Sequence, residues 1–152
     1  MKISLLYGTE TGNAEMLCED LQSSFRKEHD VKFSNLEDIG AGELEKDRFH
    51  MFFCSTYGDG ELPNSAIDFV DALKADKNDL SGIKFSIFGL GDTSYDETYN
   101  NGSKVLMDAL TEAGAEMVGP RGLHDASGFD NPEDIAEPWA KERMAEVAAH
   151  YT

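Results

Sequence analysis

The apolar residues of this chain follow two spacings that alternate along the sequence. Short apolar runs at residues 3–7 and 49–54 are typical of buried strands. After the first run, apolar residues recur every three or four positions, which predicts an amphipathic helix. The apolar stripe of this first helix consists of Ala14, Leu17, Cys18, Leu21 and Phe25.

The same alternation continues to the end of the chain. Further strands are predicted at residues 31–36 and 83–88, with a fifth strand that begins near 115–118 and resumes around Leu123. Further helices are predicted around residues 66–73, 105–113 and 135–147. This alternation is typical of an α/β fold with a mainly parallel sheet and helices on both faces. The polar connection at residues 38–46 is too short to divide domains, so we expect residues 1–152 to form one domain.

The composition is that of an acidic globular protein. Hydrophobic residues make up 40% of the 152 residues, and 30 acidic residues against 13 basic ones leave a net charge of −17. This charge disfavours nucleic acid and anionic membranes and favours partner proteins with basic patches. Charge alone nevertheless favours the alternative, that the acidity serves only solubility or reflects a salty habitat. No apolar run approaches the roughly 20 residues of a membrane span. The first eight residues show no signal-like pattern and the two cysteines no metal or redox spacing, so we expect a cytoplasmic, reduced protein.

The connection after the first strand has the residue types of a phosphate site. It consists of Thr9, Glu10, Thr11, Gly12, Asn13 and Ala14. Hydroxyls, an amide and glycine at the start of a helix supply hydrogen-bond donors to a phosphate. The lysine of a nucleoside triphosphate loop is missing, which favours a single terminal phosphate. An ordinary helix cap would use the same residue types, so this loop alone leaves both interpretations open.

Two later connections each carry a tyrosine among glycines and polar residues. The one after the third strand consists of Ser55, Thr56, Tyr57, Gly58, Asp59 and Gly60. The one after the fourth strand includes Leu90, Gly91, Asp92, Tyr95 and Tyr99. A tyrosine beside a backbone without Cβ atoms can pack against a flat ring, although a tight turn over the core would look similar. A dinucleotide fingerprint is disfavoured here, because Ser94 occupies the position of its third glycine.

Taken together, the three connections resemble those of a known family. Thr9-x-Thr11-Gly12-Asn13, residues 55–60 and residues 91–95 match, in order and spacing, the phosphate loop and the two flavin-flanking loops of flavodoxins. Residues 122–125 and 132–139 are similar to the end of MioC-type short flavodoxins, and the loops are similar to those of the FMN domains of diflavin reductases. The resemblance covers essentially the whole chain and implies a five-stranded parallel sheet in the order 2-1-3-4-5.

The resemblance also implies a cofactor and a function. FMN would place its phosphate in residues 9–14 and its ring system between Tyr57 and Tyr95, with the backbone of residues 91–93 at the pyrimidine edge and Tyr99 and Asp125 close by. The protein would carry single electrons through a neutral semiquinone, as a monomer. Its donor would be a flavodoxin/ferredoxin-type NAD(P)H reductase, and its acceptors would be redox enzymes with basic docking patches.

The sequence predicts no catalytic side chain, and several alternatives stay open. The histidines are scattered without metal spacing and are expected at the surface or at helix caps: His29, His50, His124 and His150. Cys18 and Cys54 are expected to be buried structural thiols.

A flavin enzyme that reduces quinones or nitro compounds with NAD(P)H would share the fold. A receiver-type signalling domain is a remote alternative, because the third strand ends in Cys54-Ser55 where a receiver needs aspartate. The two tyrosine loops disfavour an acidic binding module without a cofactor.

Overall fold

A computed structural model of the chain describes residues 1–8, 12–55, 62–75, 79–91, 101–125 and 131–151. The strands are β1 (Lys2–Gly8), β2 (Asp30–Asn35), β3 (Phe49–Ser55), β4 (Lys84–Gly91), β5 (Glu116–Met117) and β6 (Gly122–Asp125). The helices are α1 (Asn13–Phe25), α2 (Asn64–Ala75), α3 (Asn101–Glu112) and α4 (Pro132–Tyr151). Two short 3-10 turns, Leu36–Asp38 and Ala41–Glu43, lie between β2 and β3.

All the described strand pairs are parallel, and the sheet has the order β2-β1-β3-β4-β5, with β6 also paired to β4. The predicted α/β fold and strand order are therefore confirmed. The predicted fifth strand is two strands on the same edge of β4: β5 pairs with Lys84 and Phe85, and β6 pairs with residues 88–91. Gly119, at φ 69°, and Pro120 interrupt the pairing between them.

Helices cover both faces of the sheet and enclose two hydrophobic clusters. One cluster joins the sheet to α1 and α4, and the other joins it to α2 and α3. All seven residues of β3 are buried because this strand lies in the middle of the sheet with helices on both sides. A strand of this kind is apolar at most positions instead of at alternate ones, which explains why the short apolar runs at residues 3–7 and 49–54 predicted β1 and β3.

The structure corrects the sequence prediction at the end of the second strand. Leu36 was expected in that strand, but β2 ends at Asn35 and Leu36 begins a 3-10 turn. The side-chain oxygen of Asn35 accepts a hydrogen bond from the Glu37 backbone N–H at 3.1 Å and so caps the turn. The polar connection between β2 and β3 therefore contains two short turns.

The surface position predicted for the histidines is wrong for two of them. His50 is only 1% exposed, because it lies within the fully buried strand β3. His124 is also buried, on β6 beside Leu90 of β4. The expectation for the cysteines is confirmed: Cys18 and Cys54 are both buried, and burial raises the pKa of each thiol, that of Cys54 to about 12.

Candidate cofactor site

Four strands end together at one edge of the sheet. The pairing sets Gly8 of β1 beside Cys54, Ser55 of β3 beside Leu90, and Gly91 of β4 beside Asp125 of β6. Ligands of open parallel sheets bind outside this carboxyl edge. The predicted site residues Ser55, Leu90, Gly91 and Asp125 therefore lie at the edge where such a ligand would bind. The pairing of β6 with β4 brings Asp125 to this edge.

The amino end of α1 lies at the same edge. Gly12 is the N-cap of this helix with φ 88° and ψ −2°, a left-handed conformation that residues with a Cβ adopt at a cost. A Cβ built at Gly12 would meet no other described atom within 4 Å, so the space beside the helix end is open. The first N–H groups of a helix have no intrahelical acceptors and carry partial positive charge, which suits a phosphate.

The next two predicted phosphate-loop residues are the first residues of the helix. Ala14 has an exposed fraction of 0%, so its methyl group packs into the core. Any contact from Ala14 to a ligand would therefore be made by its backbone N–H. Asn13 is exposed at the helix start, where its side chain can reach a ligand.

The end of β1 packs tightly against the beginning of α2. A Cβ built at Gly8 would lie 2.9 Å from the Cβ of Ala66 and 3.2 Å from Pro63. Only glycine allows this approach, since real Cβ contacts are essentially never shorter than 3.0 Å. The approach brings the end of β1 beside Pro63 and the first turn of α2.

Tyr7 and Glu15 lie near each other, on the strand and the helix on either side of the first loop. The Tyr7 side chain is 6% exposed, and Glu15 lies in the first turn of α1. Burial, and then the neighbouring Glu15 charge, raise the pKa of Tyr7 to about 12. Sequence analysis missed this pair because eight positions separate the two residues.

Many of the predicted site residues lie outside the described residues and stay predictions. They are Thr9, Glu10, Thr11, Thr56, Tyr57, Gly58, Asp59, Gly60, Asp92, Tyr95 and Tyr99. The described residues that precede them are Gly8, Ser55 and Gly91, which all lie at the carboxyl edge. Within the described residues, no group of three or more His, Cys, Asp or Glu could hold a metal ion, and no helix is long and apolar enough to cross a membrane.

Trp139 supports β6 from the neighbouring helix α4. Its ring centroid lies 5.3 Å from that of Phe88 and 6.0 Å from that of Phe53, and its Nε1 donates to the Pro120 carbonyl at 3.3 Å. A Cβ built at Gly122 would lie 2.5 Å from Phe88 and 2.7 Å from Trp139 Nε1. Gly122 thus lets the indole pack directly on the backbone of the strand that carries Asp125. The sequence showed the glycine and the tryptophan but no reason to join them.

Replacing Gly122 by alanine is expected to destabilise the protein by about 1–3 kcal/mol, the usual cost of overpacking a core. The added methyl group must displace the Phe88 and Trp139 rings, which are both buried in the same hydrophobic cluster. Urea unfolding followed by Trp139 fluorescence measures the change. Gly40→Ala is the control, because its nearest contact would be a Glu43 oxygen at 3.9 Å. Equal stabilities of the two variants would contradict the packing described for Gly122.

Comparison with known proteins identifies the family. The flavodoxin family model matches residues 5–139. The chain is 34% identical to NADPH-dependent diflavin oxidoreductase 1 of Schizosaccharomyces pombe, over 97% of this chain and 26% of that protein. It is 32% identical to human NADPH–cytochrome P450 reductase, over 98% of this chain and 22% of that protein. The chain thus spans about a quarter of the length of these relatives.

Solved structures agree with this result. A cysteine-to-serine mutant of flavodoxin from Pseudomonas aeruginosa superposes with a TM-score of 0.84 at 27% identity, over 97% of this chain and 99% of that one. Oxidised flavodoxin 1 from Bacillus cereus superposes with a TM-score of 0.74 at 25% identity, over the whole of both chains. The chain therefore belongs to the flavodoxin family, whose members are flavin-based electron carriers with FMN as their cofactor.

Proposed function

We propose that this protein carries single electrons on one FMN, through a neutral semiquinone, from an NAD(P)H-dependent reductase to acceptor proteins. The observation that carries the proposal is the carboxyl edge, where an open helix start lies beside the ends of β1, β3, β4 and β6. Bound FMN would supply the one-electron chemistry. The protein's part is to hold the phosphate, bury the ring system and present its edge to a partner.

The backbone of the described residues is suited to holding the phosphate and lining the ring system. The first N–H groups of α1 can donate to the phosphate, and the helix dipole favours its negative charge. Ser55, Gly91 and Asp125 end their strands beside each other and can line the ring system. Tyr57 and Tyr95 are the proposed stacking residues, on the strength of the flavodoxin motifs.

The charged residues at the two edges of the sheet differ, and the difference supports the proposal that the partners are basic. At the amino edge, basic residues are paired with acidic ones, as in Lys2–Asp47 and Lys84–Glu116. At the carboxyl edge, the first turns of α1 and α4 contain Glu15, Glu133 and Asp134 but no lysine or arginine. Glu15, Glu133 and Asp134 therefore place negative charge at the proposed cofactor edge, which would steer and orient a basic partner.

The test of the function is the spectrum and the reactivity of the purified protein. The carrier proposal expects a visible flavin spectrum, a blue radical on partial reduction, and no oxidation of NADPH until a reductase is added. A colourless protein that takes up no FMN would reject the proposal. Rapid NADPH oxidation with a quinone and no reductase would favour the flavin-enzyme alternative.

Electron transfer from a flavodoxin reductase is expected to slow severalfold as ionic strength rises from about 0.1 M to about 1 M. The Debye length falls from about 10 Å to about 3 Å over this range, which removes most of the attraction between the acidic edge and a basic partner. Stopped-flow reduction measures the rate. Reduction by dithionite, a small anion, is the control and should become faster with salt. A reductase rate that stays constant would mean that the net charge of −17 serves solubility alone.

A further inference from the structure

We propose that Arg143 is a positioning residue for the ring side of the cofactor site: by holding the Pro120 carbonyl, it fixes the register of β6 and so places Asp125 at the carboxyl edge. The inference rests on the proposed function, in which Asp125 lies beside the flavin ring system. It assigns a role to an arginine of α4 that is only 5% exposed.

The pairing register along the outer side of β4 changes at the break between β5 and β6. Met117 of β5 pairs with Phe85, and Gly122 of β6 pairs with Phe88. Four residues, 118–121, therefore lie opposite only two residues of β4. The outer chain thus advances by two residues relative to β4 between the two paired stretches.

This advance decides which residue reaches the carboxyl edge. In the register of β5, Leu123 would lie opposite Gly91, the last residue of β4, whereas the observed register places Asp125 there. A shift of two residues keeps every side chain on the same face of the sheet, so the burial of one face does not distinguish the two registers. Contacts outside the strand pairing must therefore hold the register that brings aspartate, and not leucine, to the proposed cofactor site.

The Pro120 carbonyl, within the break, is held by two side chains of α4. Arg143 donates to it from Nη1 at 3.4 Å, and Trp139 donates to it from Nε1 at 3.3 Å. Arg143 is itself fixed, because its Nη2 donates to the Glu146 carboxylate at 2.6 Å. A Cβ built at Gly119 would lie 2.6 Å from Arg143 Nε, so the guanidinium packs directly on the backbone of the break. The arginine therefore contacts two successive residues of the break.

The end of the break is held from the other side of the sheet. Arg121 donates from Nη1 to the Ser103 hydroxyl at 2.9 Å, in the first turn of α3. The break is thus fixed between α3 and α4. Trp139 also fills the core beside Phe88, so Arg143 is the residue of α4 whose bond to the break can be removed with less effect on the core.

The Arg143→Met substitution removes the guanidinium and keeps most of the length of the side chain. Replacement of a buried charged group by an apolar one of similar volume is often neutral for stability, so the variant is expected to fold. The break then loses one of its two donors from α4, and β6 can take up the register of β5. The contact with the ring system, which FMN and riboflavin share, should weaken, and the contact with the phosphate should not change.

The experiment measures the dissociation constants of FMN and riboflavin by flavin fluorescence quenching. Arg143→Met should raise both constants by the same factor, about tenfold, the equivalent of one hydrogen bond to a charged group. Asp125→Leu should also raise both, since it puts leucine at the edge in the observed register. Arg143→Met should add nothing to Asp125→Leu, because either register then places leucine opposite Gly91.

Amide hydrogen exchange of the FMN-saturated protein is the second measurement. Arg143→Met should speed exchange in residues 119–125 and leave exchange in β1 unchanged, since only the break and β6 lose a contact. Arg143→Lys, which keeps the charge and a single donor group, should change exchange and binding in the same direction by less. If neither variant folds, Arg143 serves the fold alone and the positioning role is rejected.

Arg48→Met is the matched control. Arg48 is 4% exposed, directly precedes β3 at the amino edge, and donates from Nε to the Ser4 hydroxyl at 2.9 Å. The same substitution thus removes an equally buried arginine at the opposite edge of the sheet. This variant should bind both flavins as the unmodified protein does. Weakening of both flavins equal to that of Arg143→Met would reject the positioning role.

The remaining outcomes separate this inference from the proposed function. An unmodified protein that binds no flavin overturns both. If FMN binds but Asp125→Leu leaves both constants unchanged, Asp125 is not part of the site, and the role of Arg143 is rejected while FMN binding stands. The role is also rejected if Arg143→Met leaves binding unchanged, weakens FMN alone, or weakens both flavins further when combined with Asp125→Leu.

Discussion

FMN is expected to bind this protein at least about a hundredfold more tightly than riboflavin. The two flavins differ only by the terminal phosphate, which would meet the open amino end of α1 at Gly12. Each charge-assisted hydrogen bond contributes about 1.5–3 kcal/mol, so two of them correspond to roughly two to four orders of magnitude in the dissociation constant. Fluorescence quenching titrations of the apoprotein with each flavin measure the ratio. Equal affinities would show that no phosphate site exists at this helix end.

Two glycines with nearly the same backbone conformation provide a matched pair of variants for this result. Gly12 has φ 88° at the start of α1, and Gly82 has φ 89° in the turn before β4, at the opposite edge of the sheet. Alanine at either position costs about 1–2 kcal/mol in a left-handed conformation. Gly12→Ala should lower the preference for FMN over riboflavin, since it disturbs the helix end that binds phosphate. Gly82→Ala should lose stability and keep that preference.

The elements of this fold could be predicted because the sheet is buried on both faces. Residues 3–7 and 49–54 are mostly apolar because helices pack against them from both sides of the sheet. The apolar pattern also predicted that the fifth strand is interrupted between residue 118 and Leu123. The end of β2 was less predictable. The side-chain oxygen of Asn35 accepts a hydrogen bond from the Glu37 backbone N–H, and this bond competes with strand pairing. The apolar pattern of the sequence does not show it.

Contacts between distant residues lay beyond what one sequence can show. Arg48 is 4% exposed, although arginine is rarely buried, because it donates from Nε to the Ser4 hydroxyl at 2.9 Å and from Nη2 to the Asp30 carbonyl at 3.1 Å. These partners are 44 and 18 positions away in the chain. The candidate site likewise has features that the sequence shows and contacts that it does not. Its loops were recognisable from local residue types, whereas the close approach of Gly8 to Ala66 depends on how β1 and α2 pack.

The effect of the buried His50 on the stability of the protein can be measured by varying the pH. His50 lies in β3 with an exposed fraction of 1%, and its Nδ1 has no hydrogen-bond partner among the described residues. Burial, with Arg48 and Lys32 adding to it, lowers the pKa of His50 from 6.5 to about 4. A proton on Nδ1 would be a buried donor without an acceptor, which costs about 1–3 kcal/mol.

The folded protein is therefore expected to lose stability as pH falls from about 6.5 to about 4, because the unfolded chain takes up a proton at His50 that the folded protein refuses. Above pH 6.5 the residue is neutral in both states and its contribution is constant. The loss is about 1.4 kcal/mol per pH unit and reaches on the order of 3 kcal/mol at pH 4.

The His50→Phe variant should lack this loss, since phenylalanine fills similar space and takes up no proton. Urea unfolding of the FMN-loaded proteins between about pH 4.5 and 7.5 measures the difference, and comparison of variants cancels the carboxylate titrations that they share. His150→Phe, at an exposed position near the end of α4, is the control and should follow the unmodified protein. If the stability curves of His50→Phe and the unmodified protein stay parallel down to pH 4.5, His50 is not held neutral by its burial.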